Sequence, residues 1–472
     1  MYRLYNIFWI IILAAIMIGC NFVNIDTPGI INDKRIFSDE QGFKDALTGI
    51  YANMAKPELY GCRLSFGFID EIAQLYYNDT EITLTPLTKT YNLKYKDVDV
   101  QKNINSIWSN AYFTIYAINN VLHQLKLKPN LHNAKLYKAE CLTLRAMLHF
   151  DLLRLFAPNY DQHSVQGIPY VMEASVDPTP ISSVDNCNKK IINDLQQADK
   201  LFSTIPISNK RSTNMLYANR NAAKALLARV YNWDGNSNKA IFYAKQVLDA
   251  NFKLSKDEEL LQLFRGYTAK QECIFAINAP KAHINVKTKF FPARLTPTCN
   301  IVRNNYKQIF NVSTFTADNN DYRYQAYFAL TDWGRPVTAF VKFYDKYYEE
   351  NQTWLPDRIP AINIIRLPEM YYIIAESEYI NNNQKQCLKA LNTVITSRGL
   401  KPIKIEDIQT DIKFKEILSK EIIKEYWGEG QAFFTYKRFK LPMKGLNGKI
   451  FEPNNRTYVL PLPDSEVKTP II

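Results

Sequence analysis

The chain has 472 residues, a net charge of +12, 47% hydrophobic residues and 22% charged residues, which is the balance of an ordinary globular protein. Beyond the N-terminus no apolar run approaches the ~18 residues that a membrane helix needs, so the composition excludes a bundle of transmembrane helices. The basic balance argues for an acidic ligand or anionic lipid headgroups more than for nucleic acid.

The N-terminus carries an export signal. A twelve-residue apolar run from Ile7 to Ile18 follows Arg3 and ends at Gly19-Cys20. At ~1.5 Å per helical residue the run covers about 18 Å, which is short of the ~30 Å hydrocarbon core. We therefore predict a lipoprotein signal peptide over residues 1–19, with Cys20 as the lipid anchor. The alternative is a plain secretory signal with a coincidental cysteine.

The remaining cysteines form no CxxC pair, which argues against a metal site, and we predict no metal and no cofactor. Cys141 and Cys387 fall in helical patterns at positions for small core residues. Disulfide pairing of Cys62, Cys187, Cys273 and Cys299 is left open by the sequence.

Most of the chain from residue 39 onward has helical periodicity. Apolar residues at steps of three and four predict one helix that ends before Pro158, and another helix around Trp108. Two later segments share the small-residue spacing of the tetratricopeptide repeat, because Ala228 precedes Ala240 by twelve residues and Ala375 precedes Cys387 by the same gap. The pattern predicts a mainly α-helical scaffold of helix pairs.

Three stretches lack this periodicity, and we expect loops and short strands there. They are residues 76–100, 279–317 and 333–354, and the second of them contains no Asp or Glu. Loops inserted on a rigid helical scaffold are common places for ligand binding.

No motif of a common enzyme class is present: there is no HExxH, no GxSxG and no glycine-rich phosphate loop with lysine. Glu421, Glu425 and Glu429 lie at helical i, i+4 steps, where like charges repel. We expect them to pair with cations for structural reasons, and Lys420, Lys424, Lys437 and Arg438 are nearby in the sequence.

Aromatic residues outside the helical stripes are candidate ligand contacts, because an aromatic ring face packs against the apolar face of a sugar while neighbouring polar groups bond its hydroxyls. Packing of the loops is the structural alternative for these residues. The candidates are Tyr76, Tyr77, Asn78, Asp79, Tyr322, Trp333 and Arg335.

Motifs along the whole chain carry a resemblance to a known family. They include Asp26 and Pro28, Gly49-Ile50-Tyr51, Trp108 with Asn119, Arg145-Ala146, Arg154-Leu155-Phe156, Leu227-Ala228-Arg229, Glu272, Asp321 with Arg323, Arg366-Leu367 with Glu369, Ala375-Glu376, Gly399-Leu400, Glu421, Glu425, Glu429-Gly430 and Pro461-Leu462-Pro463. In order and spacing the chain resembles the RagB/SusD family of outer-membrane lipoproteins from Bacteroidetes. Ala432 and Thr435 depart from the Arg and Asp that follow Glu-Gly in that family.

The resemblance implies a tetratricopeptide-like scaffold with a loop-rich ligand-binding insertion. It implies a non-catalytic lipoprotein at the cell surface, which captures an oligosaccharide and passes it to a TonB-dependent, SusC-like β-barrel transporter. The implied organisation is a tether over residues 20–38 and one helical domain over 39–472, with an N-terminal part to about 270 and a C-terminal part from 271. A peptide ligand, a structural lid with a decayed sugar site, and a hydrolase are the alternatives.

Overall fold

The computed structural model describes residues 36–77, 86–159, 165–175, 177–257, 259–260, 263–264, 271–291, 301–302, 306–311, 321–332, 336–344, 350–351, 360–445, 448–464 and 466. The predicted anchor Cys20 and four candidate ligand contacts, Asn78, Asp79, Trp333 and Arg335, lie outside these residues. The chain divides into two compact units, residues 1–45 and residues 46–472. The ionic cluster, the aromatic cluster and the groove described below lie in the second unit. The boundaries expected from sequence at 19/20, 38/39 and 270/271 stay predictions.

The described helices follow in chain order. They are α1 (Glu40–Met54), α2 (Phe68–Ile72), α3 (Pro86–Tyr91), α4 (Val98–Leu127), α5 (Ala134–Phe156), α6 (Val184–Phe202), α7 (Arg220–Trp233), α8 (Ser237–Leu248), α9 (Ala282–Phe290), α10 (Tyr306–Phe310), α11 (Tyr322–Tyr327), α12 (Leu367–Ile380), α13 (Gln384–Ser397), α14 (Asp411–Glu425), α15 (Ala432–Phe439) and α16 (Asn455–Tyr458), with a 3-10 turn at Ile405–Ile408.

The described strands are short and form two-stranded antiparallel sheets. They are β1 (Tyr76–Tyr77), β2 (Gln166–Pro169), β3 (Ile181–Ser183), β4 (Cys273–Asn278), β5 (Ile301–Val302), β6 (Phe328–Asp332), β7 (Pro336–Phe340), β8 (Ala361–Arg366), β9 (Met443–Lys444) and β10 (Ile450–Phe451). The pairs are β1 with β5, β2 with β3, β4 with β8, β6 with β7, and β9 with β10.

The helices from α4 to α8 pack in sequence, each against the next, and α8 then packs against α12. Side-chain caps explain where several of them begin. Asn236 accepts a hydrogen bond from the Lys239 amide at the start of α8, and Asn383 accepts one from the Gln386 amide at the start of α13. Such caps satisfy amides that have no partner within the helix. The asparagines before α8 and α13 therefore mark helix starts.

The two predicted repeat copies are the helix pairs α7/α8 and α12/α13. Ala228, Ala240, Ala375 and Cys387 are fully buried at the crossings of these helices. Small side chains there allow the close approach that the repeat spacing requires. Because α8 contacts α12, the two copies lie side by side although about 120 residues separate them in the sequence. The helical fold class is confirmed.

Two of the irregular stretches contain more helix than the sequence indicated. In the stretch 76–100, residues 86–91 form α3 and α4 begins at Val98. Residues 282–290 form α9 and residues 306–310 form α10, so the prediction of loops and short strands over 279–317 is partly wrong. Helix α9 buries only Val286 and Phe290, while Lys281 and Lys287 are exposed. Two buried residues give too weak a periodicity to be recognised in the sequence.

Cys62, Cys141, Cys187, Cys273 and Cys387 are free thiols and all are buried, so the core positions predicted for Cys141 and Cys387 are confirmed. Burial raises the pKa of the Cys62 thiol to about 11. Within the described ranges, no helix is both long enough and apolar enough to cross a membrane.

Candidate functional site

Ten charged side chains meet in the interior of the C-terminal half, and we call them the ionic cluster. Five are carboxylates and five are cations, and each is less than a tenth exposed. Charges removed from water need partners of opposite sign, because an unpaired buried ion costs several kcal/mol. The members are Glu272, Asp321, Arg323, Lys342, Arg366, Arg398, Glu421, Lys424, Glu425 and Glu429.

Pairing of β4 with β8 brings the first partners together. Glu272 precedes β4 and Arg366 ends β8, and the Leu367 amide donates to the Glu272 carbonyl over 2.9 Å. Arg366 Nη1 then lies 2.7 Å from Glu272 Oε1 and 2.7 Å from Glu425 Oε1. Arg398, at the end of α13, donates through Nη2 to the same two carboxylates over 3.0 and 2.8 Å. Two arginines thus hold Glu272 and Glu425 between them.

The other carboxylates are paired in the same way. Arg323 Nη2 lies 2.8 Å from Asp321 Oδ2 and 2.8 Å from Glu421 Oε2. Lys342 Nζ lies 2.6 Å from Glu429 Oε1. The prediction that the three glutamates are paired for structural reasons is confirmed.

Most of the cations that the sequence predicted as partners of the three glutamates do not pair with them. Of the four cations near the three glutamates in the sequence, Lys424 alone joins the cluster, 2.8 Å from Glu421 Oε1. Lys420 bonds Glu416, and Arg438 bonds Glu376. Lys437 donates to the backbone carbonyls of Arg154 and Ala157. The actual partners come from segments far away in the sequence.

Burial and the neighbouring charges shift the pKa values of Glu425 and Lys342 in this cluster. Burial alone would raise the pKa of Glu425, but Arg398 and Arg366 hold that pKa well below its usual value. Burial lowers the pKa of Lys342 to about 8, partly opposed by Glu429. A general acid needs a carboxyl that holds its proton near neutral pH. Glu425 lacks this property, so the arrangement supports packing rather than catalysis.

A glycine-containing turn after α14 sets the position of Glu429. Gly428 and Gly430 have φ angles of +82° and +72°, which side chains rarely adopt. A Cβ on Gly428 would lie 2.2 Å from the Phe340 ring, and one on Gly430 would lie 2.3 Å from the Leu64 carbonyl oxygen. The Gly428 amide donates to Asp70 Oδ2 over 2.9 Å. The two glycines therefore serve a tight turn.

Trp427, in the same turn, is part of a buried group of rings that we call the aromatic cluster. Its ring centroid lies 5.3 Å from that of Phe328 and 6.3 Å from that of Tyr76. Ring pairs at such distances stabilise one another beyond the area they bury. The members are Tyr76, Phe290, Phe310, Phe328, Phe340 and Trp427.

The predicted contacts on β1 divide into a buried and a half-exposed residue. Tyr76 has no exposed surface, and its ring lies 5.0 Å from that of Phe290 and 5.8 Å from that of Phe340. The structure gives it a packing role, which is the alternative that the sequence had left open. Tyr77 is half-buried and pairs with Ile301 on β5. Asn78 and Asp79 follow Tyr77 in the chain, outside the described residues.

Trp333 and Arg335 lie in the connection between β6 and β7, also outside the described residues. The two strands are in register from Phe328 opposite Phe340 to Asp332 opposite Pro336. Strand β7 also contacts β5, which pairs with β1. The aromatic cluster therefore supports both chain segments that carry the predicted contacts around residues 76–79 and 333–335.

Tyr322 lies elsewhere, at the first position of α11. It is half-buried, and its amide donates to the Arg398 carbonyl over 3.0 Å. Its neighbour Asp321 belongs to the ionic cluster and caps α11. The structure thus fixes the backbone of Tyr322 beside the cluster.

Two family models match separate parts of the chain. The model described as "Starch-binding associating with outer membrane" matches residues 43–232, and the model described as "SusD family" matches residues 318–469. Together they take in nearly all of α7, the helix pair α12/α13 and every member of the ionic cluster except Glu272, while α8 lies between the two matched ranges.

The chain belongs to the SusD family. It is 23% identical over 98% of its length to a SusD-like protein P2 from Formosa agariphila, and covers 97% of that protein. A SusD superfamily protein from Bacteroides thetaiotaomicron has the same fold, with a TM-score of 0.72, 22% identity and coverage of 91% of this chain and 97% of that one. A SusD-like carbohydrate-binding protein from Bacteroides vulgatus has a TM-score of 0.71 and 19% identity, over 91% and 96% of the two chains.

One of these family models is described as starch-binding and associating with the outer membrane, and a SusD-like relative of known structure is described as a carbohydrate-binding protein. Family membership therefore confirms the predictions of a SusD-like protein and of a non-catalytic one.

The ionic cluster explains most of the charged motif residues on which the resemblance depends. Glu272, Asp321, Arg323, Arg366, Glu421, Glu425 and Glu429 all appear among those motifs. Sequence reasoning treated them as separate signatures and missed that they form one site. The sequence did contain an indication of this site. Three single arginines and several carboxylates lie near the ends of helices and strands, among mostly apolar residues.

Proposed function

We propose that the chain is a non-catalytic lipoprotein of the outer membrane, which captures an oligosaccharide and passes it to a TonB-dependent transporter. The observation that carries this proposal is the match of two SusD-family models to both halves of the chain. One of them is described as starch-binding, and a similar structure is described as a carbohydrate-binding protein. These descriptions favour a glycan over a peptide as the ligand.

The arrangement around the aromatic cluster supports a binding region there. Strands β1, β5 and β7 pack on rings that are fully or nearly fully buried, so the segments that leave these strands start from a rigid base. Binding sites need such support, because ordering a loose segment on binding costs free energy. We assign ligand contact to Tyr77, Asn78, Asp79, Trp333 and Arg335, with Tyr322 as a further candidate.

Attachment to the membrane is assigned to Cys20. The mature chain would begin at this residue, and residues 20–38 would link the lipid to the helical domain. Acyl chains hold a protein to a bilayer through burial of their CH₂ groups, at about 0.8 kcal/mol each. A tether of this kind lets the domain move relative to a transporter without diffusing away.

Affinity electrophoresis in gels that contain a single polysaccharide tests the ligand. We expect retardation of the full chain by at least one glycan, and weaker retardation of Trp333→Ala because one stacking surface is lost. Tyr116→Ala is the matched control, since Tyr116 is an aromatic residue on α4 that is 43% exposed. Retention of a peptide pool without retardation by any glycan would show that the ligand class is wrong.

A further inference from the structure

A groove between three C-terminal helices has the features of a second ligand site. One face of α12 forms its floor, with Glu369, Ile373, Glu376 and Ile380 at helical steps of three and four. Helices α14 and α15 form its walls, and residues of α5 and α7 also line its inner part, namely Arg154, Arg229, Asn232 and Trp233. We call it the C-terminal groove, and none of its described lining residues comes from β1, β5, β6 or β7.

The groove has an outer and an inner part that share Glu376, Arg438 and Phe439. The outer part has a cavity volume of about 660 Å³, and the inner part has one of about 80 Å³. Small-molecule sites are concave and combine apolar or aromatic surface with a few polar groups. Both parts have this composition.

The outer part contains a stacked pair of rings. Tyr379 lies flat on Phe414, with ring centroids 3.7 Å apart and planes 8° apart. Phe414 is buried, whereas Tyr379 is half-buried at the edge of the groove. The Tyr379 hydroxyl donates to Asp411 Oδ1 over 3.1 Å, which fixes the ring further. A ring held in this way is a rigid surface for stacking.

The polar groups around this ring are suited to sugar hydroxyls. Gln384, Gln409 and Asn382 offer amides, and Asp411 offers a carboxylate. Amides and carboxylates both bond hydroxyl groups, and amides do so as donor and acceptor. An aromatic face with amides beside it matches the apolar face and the hydroxyl rim of a pyranose ring.

The inner part contains polar atoms that have no partner among the described residues. The Tyr426 hydroxyl and Arg154 Nε are both buried and both belong to residues that line this space. Both residues are less than a tenth exposed. Buried polar groups are nearly always hydrogen-bonded, so such atoms indicate a place for a polar ligand atom or water.

The arginines that line the inner part are already paired with carboxylates. Arg229 Nη2 lies 2.7 Å from Glu369 Oε2, and Arg438 Nη2 lies 2.6 Å from Glu376 Oε1. Arginines that are already paired with carboxylates offer little attraction to an anion. The inner part therefore favours an uncharged group over a phosphate or an acidic sugar, while Lys415 and Lys440 add cations to the lining of the outer part.

We propose that the C-terminal groove binds a second uncharged oligosaccharide, stacked on Tyr379 and with one end at the Tyr426 hydroxyl. The site is separate from the region assigned above and does not depend on it. A second glycan site gives the protein two attachments to one polymer, and avidity then exceeds the affinity of either site.

Calorimetric titration of the full chain in mild detergent tests the proposal, with maltoheptaose, cellohexaose, xylohexaose and mannohexaose as probes. We expect at least one probe to bind at two sites per chain.

Tyr379→Ala should weaken one site by about tenfold or more. Tyr379→Phe keeps the ring and should keep that site, and Tyr426→Phe should weaken it while leaving the fold intact. Tyr116→Ala is the control for loss of an exposed tyrosine.

Each outcome decides the proposal. If both sites survive Tyr379→Ala and Tyr426→Phe unchanged, the groove is not a glycan site, and it is equally excluded if none of the four probes binds. If the wild type binds peptides from a pool and Tyr379→Ala does not, the proposal of an oligosaccharide ligand for the groove is wrong. Trp333→Ala tests the first region separately. If this variant loses one site and keeps the other, the two sites are independent of each other.

Discussion

Single residues in the turn after α14 show how local geometry controls the interior. Gly430 has a positive φ angle, and a Cβ at this position would overlap the Leu64 carbonyl. The same turn carries Trp427 into the aromatic cluster and Glu429 into the ionic cluster. One backbone conformation therefore serves both groups, which accounts for glycine beside Glu429.

We expect Gly430→Ala to lower the free energy of unfolding by about 1–3 kcal/mol, the usual cost of a strained backbone conformation. Gly49→Ala is the matched control. Gly49 lies inside α1, and a Cβ at this position would have no heavy atom within 4 Å, so alanine should stabilise the helix by about 0.5–1 kcal/mol. Urea unfolding of both variants measures the effects, and equal effects would contradict this explanation of the turn.

Lys437 makes a pH-dependent contribution to stability. Burial, with a smaller effect of Arg154, lowers the pKa of Lys437 from 10.5 to about 7. Between these two values the unfolded chain binds more protons at this residue than the folded chain does, so stability rises with pH. Relative to Lys437→Met, the wild type should gain up to about 1.4 kcal/mol per pH unit from pH 7 to pH 9.

Urea unfolding of both proteins at pH 7, 8 and 9 tests this sign. Other titrating groups, such as Lys342, cancel in the difference between the two proteins. A difference that stays constant over this range would show that Lys437 is charged in the folded state.

At the scale of secondary structure, helix α14 combines a buried and an exposed face. Glu425 is fully buried and bonded to Arg366 and Arg398, whereas Glu416 lies on the exposed face with Lys420. Removing one member of a buried charged group leaves its partners uncompensated, while exposed pairs contribute little.

Glu425→Gln should therefore lower the free energy of unfolding by about 3–5 kcal/mol. Glu416→Gln, on the same helix, should change it by less than about 0.5 kcal/mol. Denaturant unfolding followed by circular dichroism measures both. Comparable values for the two variants would mean that the ionic cluster does not stabilise the fold.

The elements differ in how well the sequence predicted them. The helix pairs α7/α8 and α12/α13 were predictable, because the spacing of Ala228 and Ala240 is a local property of the chain. Helix α9 was not, because Val286 and Phe290 are its only buried side chains. The partners of Glu421, Glu425 and Glu429 could not be derived from neighbours in sequence, since β4, β8 and α13 bring them from distant segments.

At the scale of the whole molecule, the chain has a helical domain with a candidate binding region, and we propose a lipid anchor at Cys20. The candidate site was predictable only as a set of segments: the structure shows that the strands flanking residues 78–79 and 333–335 share one aromatic cluster. It also shows that Tyr76 faces inward. The sequence could not predict this, because strand residues alternate between two faces and the pattern did not reveal which face was buried.

Membrane attachment through Cys20 gives a prediction at this scale. We expect Cys20→Ala to abolish incorporation of radiolabelled palmitate, because no thiol remains to carry the lipid. Cys387→Ala, which removes a buried thiol of α13, should leave the label in place. Labelling of the Cys20→Ala variant at the wild-type level would exclude this residue as the anchor.

The central claim is that the protein binds a glycan and leaves it unchanged. Equilibrium dialysis of the full chain against maltoheptaose, cellohexaose, xylohexaose and mannohexaose, followed by chromatography of the recovered sugar, tests both halves of this claim. We predict that at least one oligosaccharide is retained on the protein side and is recovered at its original length. Retention of none of them, or recovery of shortened products, would contradict the claim.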